Sequence, residues 1–64
     1  GMHGGGLKNM EITNNNVSNC SDSVVLIEDS THVNTAIHSN TFAEDTGAYI
    51  PSNITAYANA GLGG

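Results

Sequence analysis

Carboxylates are the side chains of this sequence that could most directly do chemistry. Glu28 is followed by Asp29, Glu44 is followed by Asp45, and Asp22 lies upstream of both pairs. Two carboxylates that face one groove can act as the acid and the base of glycosidic-bond hydrolysis. Adjacent residues of a regular strand point to opposite faces, so a turn at Asp29 would be needed to bring its carboxylate beside Glu28. We therefore assign no catalytic residue from the sequence.

The histidines and the cysteine do not have the spacing of a metal site. His3, His32 and His38 lack the i, i+4 and Cys-His spacings that are typical of zinc sites. Cys20 is the one cysteine, so it has no partner for an internal disulfide, and no histidine is placed in the sequence to activate it as a nucleophile. We expect no metal and no cofactor.

Net charge and hydropathy exclude two classes of partner. One lysine, no arginine and six acidic residues give a formal net charge of −5, which is the wrong sign for binding the phosphates of a nucleic acid. The longest apolar run, 24–27, is far shorter than the roughly 20 residues that cross a bilayer. The sequence therefore predicts neither nucleic-acid binding nor membrane insertion.

The polar residues indicate strands and turns rather than helices. Nine Asn, six Ser and six Thr favour turns, because their side chains bond locally to the backbone in competition with helical hydrogen bonds. Val, Ile, Thr and Tyr favour strands. We predict an all-β chain with a flexible Gly-rich N terminus over 1–6, a strand-rich body over 7–57 and a Gly/Ala-rich tail over 58–64.

A repeat with an offset of 25 residues predicts how these strands pair. The pattern Ile-x-x-Asn-x-apolar begins at Ile12 and again at Ile37. The hairpin dipeptides Asn-Gly and Asp-Gly are missing, so parallel stacking of the two copies is favoured over an antiparallel hairpin. The same offset places Asn15 over Asn40, Val17 over Phe42 and Val25 over Ile50. The residues expected to stack in the core are Ile12, Asn15, Val17, Val25, Ile27, Val33, Ile37, Asn40, Phe42 and Ile50.

The stretches 12–20, 25–33 and 37–42 resemble coils of the right-handed parallel β-helix, the pectate-lyase-like superfamily. They are most similar to segments of bacteriophage tailspikes and tail fibres. The resemblance covers 7–57 and depends on an apolar strand, a Ser or Asn turn and the motif that begins at Ile37. It implies about two and a half coils of a β-helix. Because a solenoid needs about three or more repeats to be stable, we expect the chain to be either a fragment of a longer β-helix or one protomer of a homo-oligomer, by resemblance a trimer, that completes the fold.

The resemblance also implies a function and a location. It predicts that the chain is a structural or receptor-binding segment of a spike or fibre and that it contacts surface polysaccharide. The predicted location is the virion or the extracellular space. The alternative is a fragment of a β-helical polysaccharide lyase or glycoside hydrolase. The carboxylates expected to contact carbohydrate are Glu28, Asp29, Glu44 and Asp45.

Overall fold

The computed structural model describes residues 1–43 and 47–61, and the secondary structure of these residues consists of short strands and turns. Each strand has only two or three residues, because turn-forming Asn, Ser and Gly residues interrupt every apolar run. The chain is therefore all-β, as its composition predicts. The strands are β1 Met2–Gly4, β2 Glu11–Thr13, β3 Asn16–Val17, β4 Val25–Ile27, β5 Ala36–His38, β6 Thr41–Phe42 and β7 Thr55–Tyr57.

All of the pairings among these strands are parallel. They form three small sheets, with the orders β1-β4, β2-β5-β7 and β3-β6. Isolated bridges join Lys8 to Val33, Leu26 to Tyr49 and Thr41 to Ala60. Three stretches of chain, which we call the first (2–17), second (25–42) and third (49–60) segments, therefore lie side by side and run in the same direction.

From Lys8 onwards, the first and second segments pair at the 25-residue spacing of the sequence repeat, whereas Met2 of β1 is opposite Val25 of β4, a spacing of 23 residues. Ile12 is opposite Ile37 and Val17 is opposite Phe42. Asn15 and Asn40 are joined by a hydrogen bond between their side chains, 2.9 Å long.

The third segment does not keep that spacing. Leu26 pairs with Tyr49 and Ile37 pairs with Ala56, so the predicted pairing of Val25 with Ile50 is wrong. Two connections are shortened. Residues 18–25 separate Val17 from Leu26, whereas only 43–48 separate Phe42 from Tyr49, which removes the predicted pairing. Residues 28–35 link β4 to β5, whereas only 51–54 precede β7, and a hydrogen bond from Ile54 N–H to the Pro51 carbonyl (3.1 Å) closes the turn in this second connection.

Both ends of the chain take part in pairing beyond the predicted boundaries. Met2–Gly4, which we expected to be part of a flexible terminus, pairs with β4, since a parallel ladder needs only the backbone groups of a glycine-rich strand. At the other end, Ala60 pairs with Thr41. Gly61 (φ 85°) passes so close to the Phe42 carbonyl that a Cβ there would collide with it.

The core lies between the three sheets. Its fully covered apolar side chains are Val24, Val25, Ile27, Ile37, Phe42 and Ile54, and Met2, Leu7, Ile12, Val17, Cys20, Ala48 and Ile50 pack against them. Val33, predicted to stack in the core, is instead 46% exposed. Its backbone, rather than its side chain, joins the first and second segments, through the bridge to Lys8. Among the described residues, the structure shows no helix with the length and apolar character needed to cross a membrane.

The turns after β2, β5 and β7 share one backbone conformation. Asn14, Ser39 and Ala58 occupy equivalent positions and all have positive φ, 61°, 58° and 56°. Asparagine tolerates this left-handed region well, whereas an alanine adopts it at a cost in free energy. Of these three corners, only that of the first segment therefore has the favourable residue, and that of the third segment has an alanine.

Candidate functional site

The outward face of the sheet β2-β5-β7 holds the groove that is the candidate site. Strand alternation places two rows of side chains on this face. One row contains Glu11, Ala36 and Thr55, and the other contains Thr13, His38 and Tyr57. The groove has a volume of about 400 Å³ and is lined by residues of all three segments.

Aromatic stacking shapes one side of the face. The rings of His38 and Tyr57 are 4.6 Å apart between centroids and within 3° of parallel. Tyr57 is 53% exposed, and it lines the groove. His38 Nδ1 shares a hydrogen bond of 2.9 Å with the Ser39 hydroxyl, which holds the imidazole in this orientation. The stack therefore keeps the phenol of Tyr57 fixed beside the groove.

Glu11 is the charged group of the groove. Its Oε2 lies 3.3 Å from His38 Nε2, and the Glu11 side chain is 67% exposed while that of His38 is 16% exposed. The geometry of this contact is not that of a hydrogen bond, so the buried His38 Nε2 has no hydrogen-bond partner among the described residues. Glu11 is thus free to turn its carboxylate towards a solute in the groove.

Amide and apolar groups complete the lining. Asn34 Nδ2 donates a hydrogen bond of 3.0 Å to Asn9 Oδ1, which leaves the Asn34 carbonyl oxygen and the Asn9 amide protons facing solvent at the groove. Met10, 42% exposed, adds an apolar patch next to them. The groove therefore combines hydrogen-bond donors, acceptors, one carboxylate and an aromatic edge.

The carboxylates predicted from the sequence lie elsewhere. Glu28 Oε2 is 2.8 Å from His3 Nε2, and Asp29 accepts a hydrogen bond of 2.9 Å from the Tyr49 hydroxyl. This bond raises the pKa of Tyr49 above its usual 10.0, because ionisation would place a phenolate against the carboxylate. Neither Glu28 nor Asp29 lines the groove.

Glu44 and Asp45, the other predicted carbohydrate contacts, lie outside the described residues.

The row of asparagines predicted at the turn is an internal support rather than a surface. Asn40 is 1% exposed. Its Nδ2 donates to the carbonyls of Ile12 (3.1 Å) and His38 (3.0 Å), and its Oδ1 accepts from the Asn15 N–H (3.0 Å). Asn59, which the 25-residue repeat did not identify, is the third asparagine of the row, and its Oδ1 accepts a hydrogen bond from Asn40 Nδ2 (2.9 Å).

The remaining candidate ligands also have structural partners. His32 is buried, with Nδ1 accepting from Leu7 N–H (3.1 Å) and Nε2 lying 2.7 Å from the Glu28 carbonyl. The thiol of Cys20 is 3.7 Å from the Ser18 carbonyl. Across the described part of the chain, no three His, Cys, Asp or Glu side chains are grouped to hold a metal ion.

Three residues of the outward face were not predicted as site residues: Glu11, which lines the groove, His38, which stacks on Tyr57, and Tyr57 itself, which lines the groove. A signal was available for the first two, since Glu11 and Thr13 flank Ile12 and the offset of 25 carries Thr13 onto His38. Tyr57 joins the row only through the shorter spacing of the third segment, which the repeat does not reveal.

Comparisons of this chain with protein-family models, with curated proteins and with solved structures give no match.

Proposed function

We propose that the chain is a structural and receptor-binding segment of a spike-like or fibre-like virion protein, and that its outer groove contacts surface polysaccharide. The observation that supports the scaffold is the order of the three parallel ladders, which repeat the same sequence of strands in successive segments. We infer that these segments are coils of a short parallel β-helix. Its right-handed sense follows from the strong preference of parallel crossover connections for that hand.

The chemistry of the groove supports carbohydrate as the ligand. Sugars present a hydroxyl-rich rim and apolar C–H faces, so they bind to sites that combine polar groups with an aromatic ring. Here Asn9, Asn34 and Glu11 supply the polar groups, and Tyr57 supplies the ring. Polar groups held by neighbouring coils are preorganised, which lowers the entropy lost on binding.

The oligomer belongs to the same proposal. Only three segments are stacked in the described part of the chain, about the smallest number of repeats that makes a solenoid stable. Side-by-side association of copies would add contacts that so short a stack lacks, and a trimer is the state that the resemblance to phage fibres implies. Light scattering on the purified chain measures this state directly.

The test of the groove is binding to a panel of bacterial surface oligosaccharides, measured by calorimetry. Tyr57→Ala is expected to weaken binding by about five- to tenfold, the effect of losing roughly 1 kcal/mol of aromatic contact. Tyr49→Ala is the matched control, since Tyr49 is an exposed tyrosine (44%) that does not line the groove. Equal losses in both variants, or none in Tyr57→Ala, would contradict the assignment.

The same panel tests the alternative function. Release of shortened oligosaccharides by the chain, abolished in Glu11→Gln, would indicate a polysaccharide-degrading enzyme and overturn the purely binding function.

A further inference from the structure

The asparagine ladder has a direction. Each Oδ1 accepts from the asparagine of the preceding segment: Asn40 Oδ1 from Asn15 N–H (3.0 Å) and Nδ2 (2.9 Å), and Asn59 Oδ1 from Asn40 N–H (3.2 Å) and Nδ2 (2.9 Å). In every step the donor is therefore the earlier segment and the acceptor is the later one. A ladder with this polarity ends differently at its two sides.

The two ends of the ladder are complementary. No described residue donates to Asn15 Oδ1, so the first segment presents an acceptor. At the other end, Asn59 Nδ2 donates one hydrogen bond to the Ile37 carbonyl (3.1 Å). Its second amide proton and the Asn59 backbone N–H have no acceptor among the described residues. The third segment therefore presents the donors that an asparagine in the position of Asn15 would satisfy.

The strand edges agree with the ladder. Thr55 N–H donates to Thr35 and Tyr57 accepts from Ser39, so Thr55 and Tyr57 bond to β5 and the backbone groups of Ala56 point away from the sheet.

On the opposite edge, the Met10 carbonyl accepts from Ala36. By alternation the backbone groups of Glu11 and Thr13 point away from β5. The outward-pointing N–H and carbonyl groups of Ala56 on β7, and those of Glu11 and Thr13 on β2, therefore lie at the positions that a parallel pair of these two strands requires.

The inward-facing residues at the two ends are also compatible. Ile12 and Val17 of the first segment are half-buried, whereas Ile37 and Phe42, opposite them in the second segment, are covered. Ile50 of the third segment is half-buried as well. A strand added at either end would cover these side chains as the outer segments cover Ile37.

We propose that copies of this chain stack head to tail, with the third segment of one copy paired in parallel with the first segment of the next. In the repeated register Ala56 N–H donates to the Glu11 carbonyl of the next copy, Thr13 N–H of the next copy donates to the Ala56 carbonyl, and Asn59 donates to Asn15. Stacking lengthens the rod along its axis, so it is compatible with side-by-side association in a trimer, and it does not depend on carbohydrate binding.

The test uses a charge that a single copy tolerates and a stack does not. Ala56 is exposed in one copy but would lie against Ile12 of the next, so Ala56→Asp should fold normally and lose end-to-end association. Ala43→Asp places the same charge at an exposed residue directly after the second segment, outside the edge strands β2 and β7, and is the control. Circular dichroism verifies the fold of both variants.

Sedimentation velocity over a concentration series measures the association. The unmodified chain and Ala43→Asp should form species that grow in length with concentration, while Ala56→Asp should lack this growth. Because Ala56→Asp keeps an intact first segment, small amounts mixed with the unmodified chain should terminate its stacks and shorten them.

Two results overturn the proposal: no concentration-dependent growth of the unmodified chain, or growth of a correctly folded Ala56→Asp equal to that of Ala43→Asp. A third result, loss of growth in Ala56→Asp without shortening of stacks of the unmodified chain, would indicate a symmetric contact between two third segments and would also overturn it.

Discussion

Replacement of Asn40 by alanine is expected to remove a large part of the stability of this chain. The Asn40 side chain is 1% exposed and bonds to backbone groups of two segments, through the carbonyls of Ile12 and His38 and the N–H of Asn15. Alanine can neither donate nor accept these bonds, and water cannot reach a site so completely covered. The loss in the free energy of unfolding is therefore the cost of leaving buried polar groups without hydrogen-bond partners.

The magnitude follows from the number of groups stranded. A buried polar group that loses its partner costs about 1–3 kcal/mol, so two carbonyls together cost roughly 2–6 kcal/mol. A 64-residue chain has a total stability of roughly 3–10 kcal/mol at about 0.05–0.15 kcal/mol per residue. At about 4–8 °C per kcal/mol, Asn40→Ala should lower Tm by roughly 8 °C or more.

The assay is thermal and urea unfolding followed by circular dichroism, at one fixed concentration because association changes apparent stability. Asn15→Ala is the control: Asn15 is exposed, so water replaces its bonds and the loss should be about 1 kcal/mol or less. Asn40→Asp keeps the volume but removes the amide donors, which separates hydrogen bonding from cavity formation. If Asn40→Ala costs no more than Asn15→Ala, or if Asn40→Asp is harmless at neutral pH, the reasoning is refuted.

Three further predictions concern the core, a corner and a titration. Ile37→Asp places a charge at a position with no exposure and should abolish the β-sheet circular dichroism spectrum, whereas Ile37→Val should cost only about 0.5–1.5 kcal/mol; a native spectrum for the aspartate would contradict the packing described above. Ala58→Gly should raise Tm by a few degrees. Glycine removes the backbone strain of about 1–2 kcal/mol that alanine has at φ 56°, and this gain exceeds the roughly 0.5–1 kcal/mol that glycine costs through the greater entropy of the unfolded chain. A lower Tm would argue against the left-handed corner. The Tyr49–Asp29 hydrogen bond favours the protonated phenol in the folded state, so its contribution to stability is complete below pH 10.0 and is lost as the pH rises through the higher folded pKa of Tyr49. In a Tyr57→Phe background, ultraviolet titration should therefore show a lower pKa for Tyr49 after Asp29→Asn, and an unchanged pKa would contradict the bond.

The pairing of the first two segments could be predicted because side chains specify it. Ile12 and Ile37 must both enter the core, and a shift of one strand by one residue would turn one of them outwards, so the repeat of apolar residues determines the register. The same reasoning failed for Val25 and Ile50. There the register depends on the connection between Phe42 and Tyr49, which is two residues shorter (43–48) than the connection between Val17 and Leu26 (18–25).

The groove could not be predicted, for a related reason. Glu11, His38 and Tyr57 come from three segments, and their proximity exists only once the registers of both neighbouring pairs are known. Likewise, β1 forms although Met2–Gly4 has little strand propensity, because the exposed edge of β4 supplies partners for its backbone.

Composition and the Ile-x-x-Asn-x-apolar repeat by themselves determined that this chain is all-β and which residues of β2 and β3 are opposite those of β5 and β6. These are local properties, set by the turn preference of Asn and Ser and by the need to bury β-branched side chains. Tertiary structure alone decided the register of the third segment, the strand at the N terminus and the groove on the outer face. Each of these depends on backbone hydrogen bonds between distant residues, which the identity of the side chains specifies only weakly.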